Sequence, residues 1–183
     1  MGAYVEYKCM PEDGPVAPKP VHLSFDEAAA HSFGGTTALD FFRRGKLAKG
    51  ETVLVNGASG AVGTAAVQLA RHFGADVTGV CSSANVELVR SLGASRVIDY
   101  TKEDFTKNNE TYDVIVDTAG TAPFSRCRSS LKEGARLLMV LGRLADVLRI
   151  PWVSITTSKR IVGGTAVGRR EDRGSWSSCG QRH

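Results

Sequence analysis

Three glycines spaced three residues apart interrupt the stretch "VLVNGASGAVGTAAVQLA", at Gly57, Gly60 and Gly63. They separate a short apolar run from a pattern typical of a helix. The first N–H groups of a helix are unpaired and carry the positive end of its dipole, which suits a phosphate group. Ala58 stands where the strict G-x-G-x-x-G pattern has its first glycine. The turn therefore indicates either a phosphate site or a tight strand-to-helix connection without a ligand.

The backbone of this turn supplies the first candidate binding residues. In a pyrophosphate site Gly60 lets the backbone approach the phosphates, and Gly63 lets the helix pack closely on the strand. Backbone N–H groups of Ser59, Gly60, Ala61 and Val62 would then be the donors. Such a turn has to follow a strand and open a helix, so the neighbouring elements decide between the two interpretations.

Strands and helices alternate on both sides of the turn. Strands are predicted over residues 52–56, 76–81, 96–100, 112–120, 135–142 and 160–167. Helices are predicted over residues 61–73, 85–93 and 124–134, with a short helix capped by Thr101 and Asp104. Apolar strands that alternate with helices predict an α/β fold, a doubly wound parallel sheet (Rossmann fold) of about six strands. This context favours the phosphate interpretation.

The two ends of the chain differ from this pattern. Residues 2–10 alternate like a strand, and a proline-rich connector follows over residues 11–20. Ser24 and Glu27 form a capping-box pattern that predicts the start of a helix, continued as two pieces broken at Gly34-Gly35. The tail, residues 174–183, has no periodicity and is expected to be disordered or non-native. We divide the chain into residues 1–23, a nucleotide-binding domain over 24–173, and this tail.

Composition excludes several classes of protein. The four cysteines and four histidines show no metal-ligand spacing, so we expect no zinc. The net charge of +4 comes from scattered Lys and Arg without interleaved aromatics, which predicts no nucleic-acid partner. No apolar stretch reaches the length of a membrane span and the first residues show no signal peptide, so we expect no membrane partner and a cytoplasmic protein.

Further candidates lie where the later strands end. Ligands of open α/β sheets bind outside the carboxyl ends of the strands. Thr118 and Gly120 follow the fourth predicted strand, and Leu141 and Gly142 end the fifth. Each of them either faces a ligand or belongs to an ordinary strand-ending turn.

The stretch "GASGAVGTAAVQLARHFGADVTGVCSSANVELVRSLGASRVIDY" resembles the cofactor domain of the medium-chain dehydrogenase/reductase superfamily. The zinc-independent quinone-oxidoreductase-like branch is the most similar one. "FGGTTAL", "YDVIVDTAG" and "LMVLG" resemble further segments of the same domain. The resemblance covers about residues 2–172 and implies that residues 1–23 are a remnant of a GroES-like substrate domain. Most of that domain is absent here, so we expect this chain alone to be inactive.

The resemblance implies an NADP(H)-binding domain of an oxidoreductase. Its members transfer hydride between nicotinamide and a small-molecule quinone, enone or carbonyl substrate, and the protein mainly orients the reactants. It places Thr37 at the nicotinamide pocket and Tyr100 near the adenosine phosphate. The alternatives are a helix hydroxyl bonded to its own backbone for Thr37 and an exposed strand-end residue for Tyr100. Catalytic residues stay unassigned.

The end of the second strand bears on the choice between NADP(H) and NAD(H). An NAD site usually has Asp or Glu there, but residues 81–85 contain no acid. Ser82 and Ser83 can donate hydrogen bonds to a 2′-phosphate, which favours NADP(H) and leaves NAD(H) as the alternative. The nearest cations are Arg90 and Lys102.

Two other classes of function compete with the oxidoreductase. One is a non-catalytic sensor or scaffold that uses the fold without chemistry. The other is a short-chain dehydrogenase, which would need a Tyr-x-x-x-Lys pair after the fourth strand, and the sequence has none. An exposed sixth strand at the sheet edge would favour a homodimer with a continuous sheet.

Overall fold

The computed structural model describes residues 6–9, 11, 16–141 and 158–164. Gly142 and the predicted tail lie outside these residues, as do most of the first ten. The helices are α1 (Phe25–Gly45), α2 (Ala61–His72), α3 (Val86–Ser91) and α4 (Phe124–Cys127). The strands are β1 (Thr52–Asn56), β2 (Asp76–Cys81), β3 (Arg96–Asp99), β4 (Tyr112–Asp117), β5 (Leu131–Met139) and β6 (Arg160–Gly163). Short 3-10 turns cover Ser83–Asn85, Phe105–Lys107 and Arg128–Ser130.

All six strands form one parallel sheet in the order β3-β2-β1-β4-β5-β6. This order confirms the predicted Rossmann fold. The chain builds outward from β1 to β3, then returns to place β4 on the other side of β1. The carboxyl ends of β1 and β4 therefore flank the point where the strand order reverses, which is where such sheets bind ligands.

The core lies in two layers because successive strand residues point to opposite faces. In β1, Val53 and Val55 belong to the layer covered by α1, α2 and α3, and Leu54 belongs to the opposite layer with α4. All three side chains are fully buried. The continuous apolar run in β1 thus follows from a strand covered on both sides.

Helix α1 is one continuous helix, so the predicted break at Gly34-Gly35 is wrong. The predicted capping box is confirmed: the Glu27 N–H donates to Ser24 Oγ at 3.2 Å, and the Ser24 N–H donates to Glu27 Oε2 at 2.8 Å. Gly34 instead allows α1 to pack closely against α2. A Cβ atom there would lie 2.3 Å from the carbonyl oxygen of Ala61, the first residue of α2.

Three local predictions also need correction. Residues 6–9 are not a strand in the structure. Asp104, not Thr101, caps the short turn after β3, because its carboxylate accepts the Thr106 N–H at 3.1 Å. The predicted helix over residues 124–134 stops early, and residues 131–134 begin β5. Leu131 is buried and pairs with Tyr112 of β4, so burial in the sheet outweighs the helical pattern.

We predict opposite effects for alanine at the two adjacent glycines of α1. Gly34→Ala should lower the free energy of unfolding by about 1–3 kcal/mol, because the added methyl group meets a backbone carbonyl of α2 that cannot move alone. Gly35→Ala is the matched control: a Cβ there meets nothing within 4 Å. It should raise stability by about 0.5–1 kcal/mol through helix propensity. Urea denaturation measures the free energy of unfolding of both variants. Equal changes would contradict the close approach of Gly34 to the Ala61 carbonyl.

Candidate dinucleotide site

The glycine turn holds α2 tightly against the end of β1. Gly57 has a φ of +83°, a conformation that favours glycine, and a Cβ on Gly63 would lie only 2.0 Å from the Gly57 carbonyl oxygen. The N–H groups of Gly57 and Ala58 both donate to the Val80 carbonyl of β2, at 3.1 and 2.9 Å. The turn is therefore anchored to β2 as it leads from the carboxyl end of β1 into α2, and a phosphate-binding turn has to follow a strand and open a helix in this way.

The first turn of α2 is open to an anion. Its N-cap, Gly60, has no side chain to accept a hydrogen bond, and the first turn contains no acidic residue. The Thr64 N–H is bonded to the Gly60 carbonyl at 2.8 Å, whereas the N–H groups of Ala61, Val62 and Gly63 precede the intrahelical ladder. Neighbouring Ser59 is half-buried and Gly60 is exposed. These predicted site residues therefore meet at one uncapped, positively polarised helix end. The predicted donor on Gly60 is an exception, because its N–H donates to the Gly57 carbonyl at 3.0 Å.

Asp117, at the end of β4, organises the adjoining loop. Its buried carboxylate accepts the Asn56 side-chain amide at 2.9 Å and the Ala119 and Gly120 N–H groups at 3.2 and 3.0 Å. Its second oxygen accepts the Ala122 N–H at 3.0 Å. The sequence analysis did not assign Asp117 to the site, yet this one carboxylate holds the backbone of the loop that carries Gly120.

The loop brings three predicted residues beside the glycine turn. The Thr118 hydroxyl donates to the carbonyls of Asn56 at 2.8 Å and Gly57 at 3.1 Å, so it links β4 to the turn. Gly120 has a φ of +69°, and a Cβ there would lie 3.4 Å from Leu141 Cβ. Leu141 is 59% exposed. Gly120 and the exposed Leu141 are thus neighbours at the carboxyl ends of β4 and β5, and Thr118 links this loop to the glycine turn.

Thr37 lies on α1 one turn after Gly34, and it is half-buried. Residues three apart share a helix face, so Thr37 lies on the face that approaches Ala61. The structure therefore places Thr37 on the side of α1 nearest the glycine turn. The predicted role at a nicotinamide pocket stays a prediction.

The ends of β2 and β3 bring together Ser82, Ser83 and Tyr100 with a residue that the sequence analysis did not consider. Tyr100 is 63% exposed, and its N–H donates to the Cys81 carbonyl at 3.0 Å. The Ser83 hydroxyl donates to the carboxylate of Asp99, the last residue of β3. Sequence reasoning looked for an acid only at the end of β2. The parallel register, which pairs Cys81 with Asp99, shows that the end of β3 is equally near.

Hydrogen bonds lower the pKa of Asp99 to about 2. The bond from Ser83 is the main cause, followed by the bond from the Thr101 hydroxyl at 2.7 Å. Asp99 is consequently ionised at neutral pH. A negative charge therefore stands beside one of the two serines that the sequence assigned to a 2′-phosphate.

Cys81 and Cys127 are buried free thiols. Burial raises the pKa of the Cys127 thiol to about 12, and burial followed by the charge of Asp99 raises the pKa of Cys81. Both thiols are buried and hence protonated at neutral pH. Among the described residues, no group of three or more His, Cys, Asp or Glu side chains is arranged to hold a metal ion.

The sheet order and the uncapped helix after β1 define a dinucleotide-binding α/β domain. The sequence matches the family "Zinc-binding dehydrogenase" over residues 61–178, so the chain belongs to this family. Its relatives confirm the resemblance to the quinone-oxidoreductase-like branch of the medium-chain dehydrogenase/reductase superfamily.

Two curated relatives and one solved structure illustrate the similarity. "2-methylene-furan-3-one reductase" of Solanum lycopersicum is 38% identical over 143 residues, covering 77% of this chain and 36% of the relative. "NADPH-dependent alkenal/one oxidoreductase, chloroplastic" of Arabidopsis thaliana is 35% identical with the same coverage. The quinone oxidoreductase of Thermus thermophilus, solved also with NADPH, has a TM-score of 0.66 and 29% identity, over 82% of this chain and 49% of that one.

The chain thus spans 36% of the length of these two curated relatives. Within the part of the chain that the structure describes, no helix is both long and apolar enough to cross a membrane.

We predict that Asp117→Asn lowers the free energy of unfolding by about 2–4 kcal/mol. Both carboxylate oxygens of Asp117 accept N–H groups, so either orientation of an asparagine amide turns its NH₂ toward a buried donor. Urea denaturation gives the change in stability, and hydrogen exchange at residues 119–122 should show the loss of loop order.

Asp113→Asn is the matched control at the opposite end of β4. Partial burial acts to raise the pKa of Asp113, but hydrogen bonds from Lys132 and Thr52 outweigh it and lower the pKa to about 2. These bonds all reach Oδ2, so an asparagine can keep its carbonyl there. The expected loss is about 1 kcal/mol. Equal losses for both variants would contradict the special role of Asp117.

Proposed function

We propose that this chain is the NADP(H)-binding domain of an oxidoreductase that transfers hydride between nicotinamide and a quinone, enone or carbonyl compound. The observation that carries the proposal is the uncapped first turn of α2 at the reversal point of the sheet. The printed names of the relatives support it, since they describe reductases and an NADPH-dependent oxidoreductase. No feature of the described residues favours the sensor or scaffold alternative.

The residues fit a dinucleotide in a definite order along the carboxyl edge of the sheet. The backbone N–H groups of Ala61 and Val62 would bind the pyrophosphate. The loop held by Asp117, together with Leu141, would border the nicotinamide end, and Ser82 would lie at the adenosine end. NADPH supplies the hydride when bound. The domain's own contribution is binding and orientation, since no described residue is assigned to proton transfer.

We further propose a preference for NADP(H) over NAD(H) and a reaction without zinc. The absence of an acid in residues 81–85 supports the first proposal, as does the name of the Arabidopsis relative. The cysteine and histidine spacing supports the second.

A dinucleotide-binding experiment on Gly60→Val tests the proposed function. A Cβ at Gly60 would meet only the Gly57 carbonyl oxygen, at 3.4 Å, and the φ of −79° suits any residue. The valine should therefore fold, with a loss of about 1 kcal/mol for a poorer N-cap. It should abolish binding of NADPH in calorimetry, because its side chain occupies the place of the pyrophosphate.

Gln68→Val is the matched control, since it adds the same branched side chain at an exposed position of α2 away from the helix start. It should bind NADPH like the unchanged chain. If the folded Gly60→Val protein kept its affinity, or if the unchanged chain bound no dinucleotide, the proposed function would be wrong.

We also propose that the protein forms a homodimer through β6. This strand is at the edge of the described sheet and pairs with β5 alone among the described strands. Backbone groups on its other side could continue the sheet into a second copy. Sedimentation analysis should give a dimer mass, and a monomer at every concentration would contradict the proposal.

The proposed compartment is the cytoplasm. The support is that Cys81 and Cys127 are buried free thiols, which is usual in a reducing compartment. A fluorescent fusion of the full reading frame, viewed in its own cells, tests the compartment. The Arabidopsis relative is named as chloroplastic, so a plastid signal is the outcome that would contradict the proposal.

A further inference from the structure

The carboxyl ends of β2 and β3 enclose a compact polar cluster around Asp99. The register pairs Cys81 with Asp99, so residues just after each strand are neighbours. Only 12% of the Asp99 side chain is exposed. Its two oxygens receive the hydroxyl of Ser83, and the hydroxyl and N–H of Thr101 at 2.7 and 3.0 Å. The Lys102 ammonium lies 3.4 Å from the carboxylate.

The hydroxyl protons of Ser83 and Thr101 are both donated to Asp99. A hydroxyl has a single proton, so Ser83 and Thr101 cannot donate to a second anion while they bond the carboxylate. Ser82 differs from them. Its Oγ accepts the side-chain amide of Asn85 at 3.1 Å, which leaves its own proton free to donate. Of the two serines at the end of β2, only Ser82 is thus ready to bind a phosphate.

The nearby cations are engaged in the same way. Lys102 pairs with Asp99, and the Arg90 guanidinium pairs with Glu87 one turn away on α3. Each pair carries no net charge. Among the described residues at the end of β2, Lys102 and Arg90 are thus both opposed by a carboxylate, and Ser82 is the one serine with a free hydroxyl proton.

We propose that Asp99 is a specificity-determining residue that limits the preference for NADP(H) over NAD(H). Its carboxylate holds the hydroxyls of Ser83 and Thr101 away from a 2′-phosphate, and it neutralises the charge of Lys102 that would attract that phosphate. This inference rests on the proposed function, and it concerns a strand next to the one that carries the acid in NAD-specific sites. Asp99 acts by positioning other groups and through its charge.

The test compares binding of NADPH and NADH to the unchanged chain and to Asp99→Asn by calorimetry. Asparagine keeps a carbonyl that can accept from Thr101 but removes the charge, and Ser83 and Lys102 can then turn to the phosphate. The affinity for NADPH should rise about fivefold, the size expected for one partly screened charge. The affinity for NADH should change less than about twofold, because NADH has no 2′-phosphate. Added salt should reduce the difference between the two proteins.

Asp76→Asn is the matched control. Asp76 begins β2 at the opposite end of the same strand pair, and its carboxylate also accepts a serine hydroxyl, that of Ser95. The substitution removes the same charge and the same kind of bond away from the proposed site. Its ratio of NADPH to NADH affinity should equal that of the unchanged chain.

A second variant, Ser83→Ala, keeps the proposal testable even if Asp99→Asn fails to fold. In the unchanged chain Ser83 is engaged by Asp99, so its removal should alter NADPH affinity less than about twofold. In the Asp99→Asn background the same substitution should cancel part of the rise in NADPH affinity. Such coupling would not arise from a merely structural role of Asp99.

The outcomes separate the two proposals. The inference is supported if the ratio of NADPH affinity to NADH affinity rises in Asp99→Asn and stays unchanged in Asp76→Asn. If both dinucleotides bind, but the ratio is unchanged in Asp99→Asn or shifts equally in Asp76→Asn, the inference is wrong and the proposed function stands. A loss of NADPH affinity of more than about fivefold in Ser83→Ala also overturns it. If no protein binds either dinucleotide, both proposals fail.

Discussion

The close contact between Gly63 and the Gly57 carbonyl is the constraint on which the site depends. It brings the start of α2 against the end of β1 with no side chain between them. Gly34 repeats this arrangement within the helix layer, where α1 meets the Ala61 carbonyl. Two backbone-to-backbone approaches thus hold the start of α2, and they leave the N–H groups of its first turn without a side-chain cap at the carboxyl end of β1.

Sequence reasoning found the sheet and the glycine turn because both are local patterns. Apolar runs of four to six residues followed by amphipathic helices repeat along the chain, and the bounds of β1 and β2 agree with their predictions. The same reasoning failed at Gly34-Gly35. Two adjacent glycines resemble a helix break in sequence, and only the position of α2 shows that one of them serves packing while the other has open space.

The adenosine end of the proposed site illustrates a different limit of prediction from the sequence. The sequence showed no acid at the end of β2, but it could not show which side chain at the end of β3 would reach across. Asp99 and Ser83 are 16 residues apart and meet because two parallel strands end at the same level. Residue types near a turn therefore indicate which ligand it could take. The hydrogen-bond partners from the next strand decide whether those residues are available.

The bonds around Asp117 also determine when the site forms during folding. Asn56 and Asp117 are 61 residues apart, and Thr118 reaches back to Gly57 over the same separation. Neither bond can form before β1 and β4 have paired, and contacts so distant in sequence close late and slowly. The loop beside the glycine turn thus cannot become ordered as an independent hairpin. It becomes ordered in the same cooperative step that closes the centre of the sheet, so a chain that has not paired β1 with β4 has no formed site.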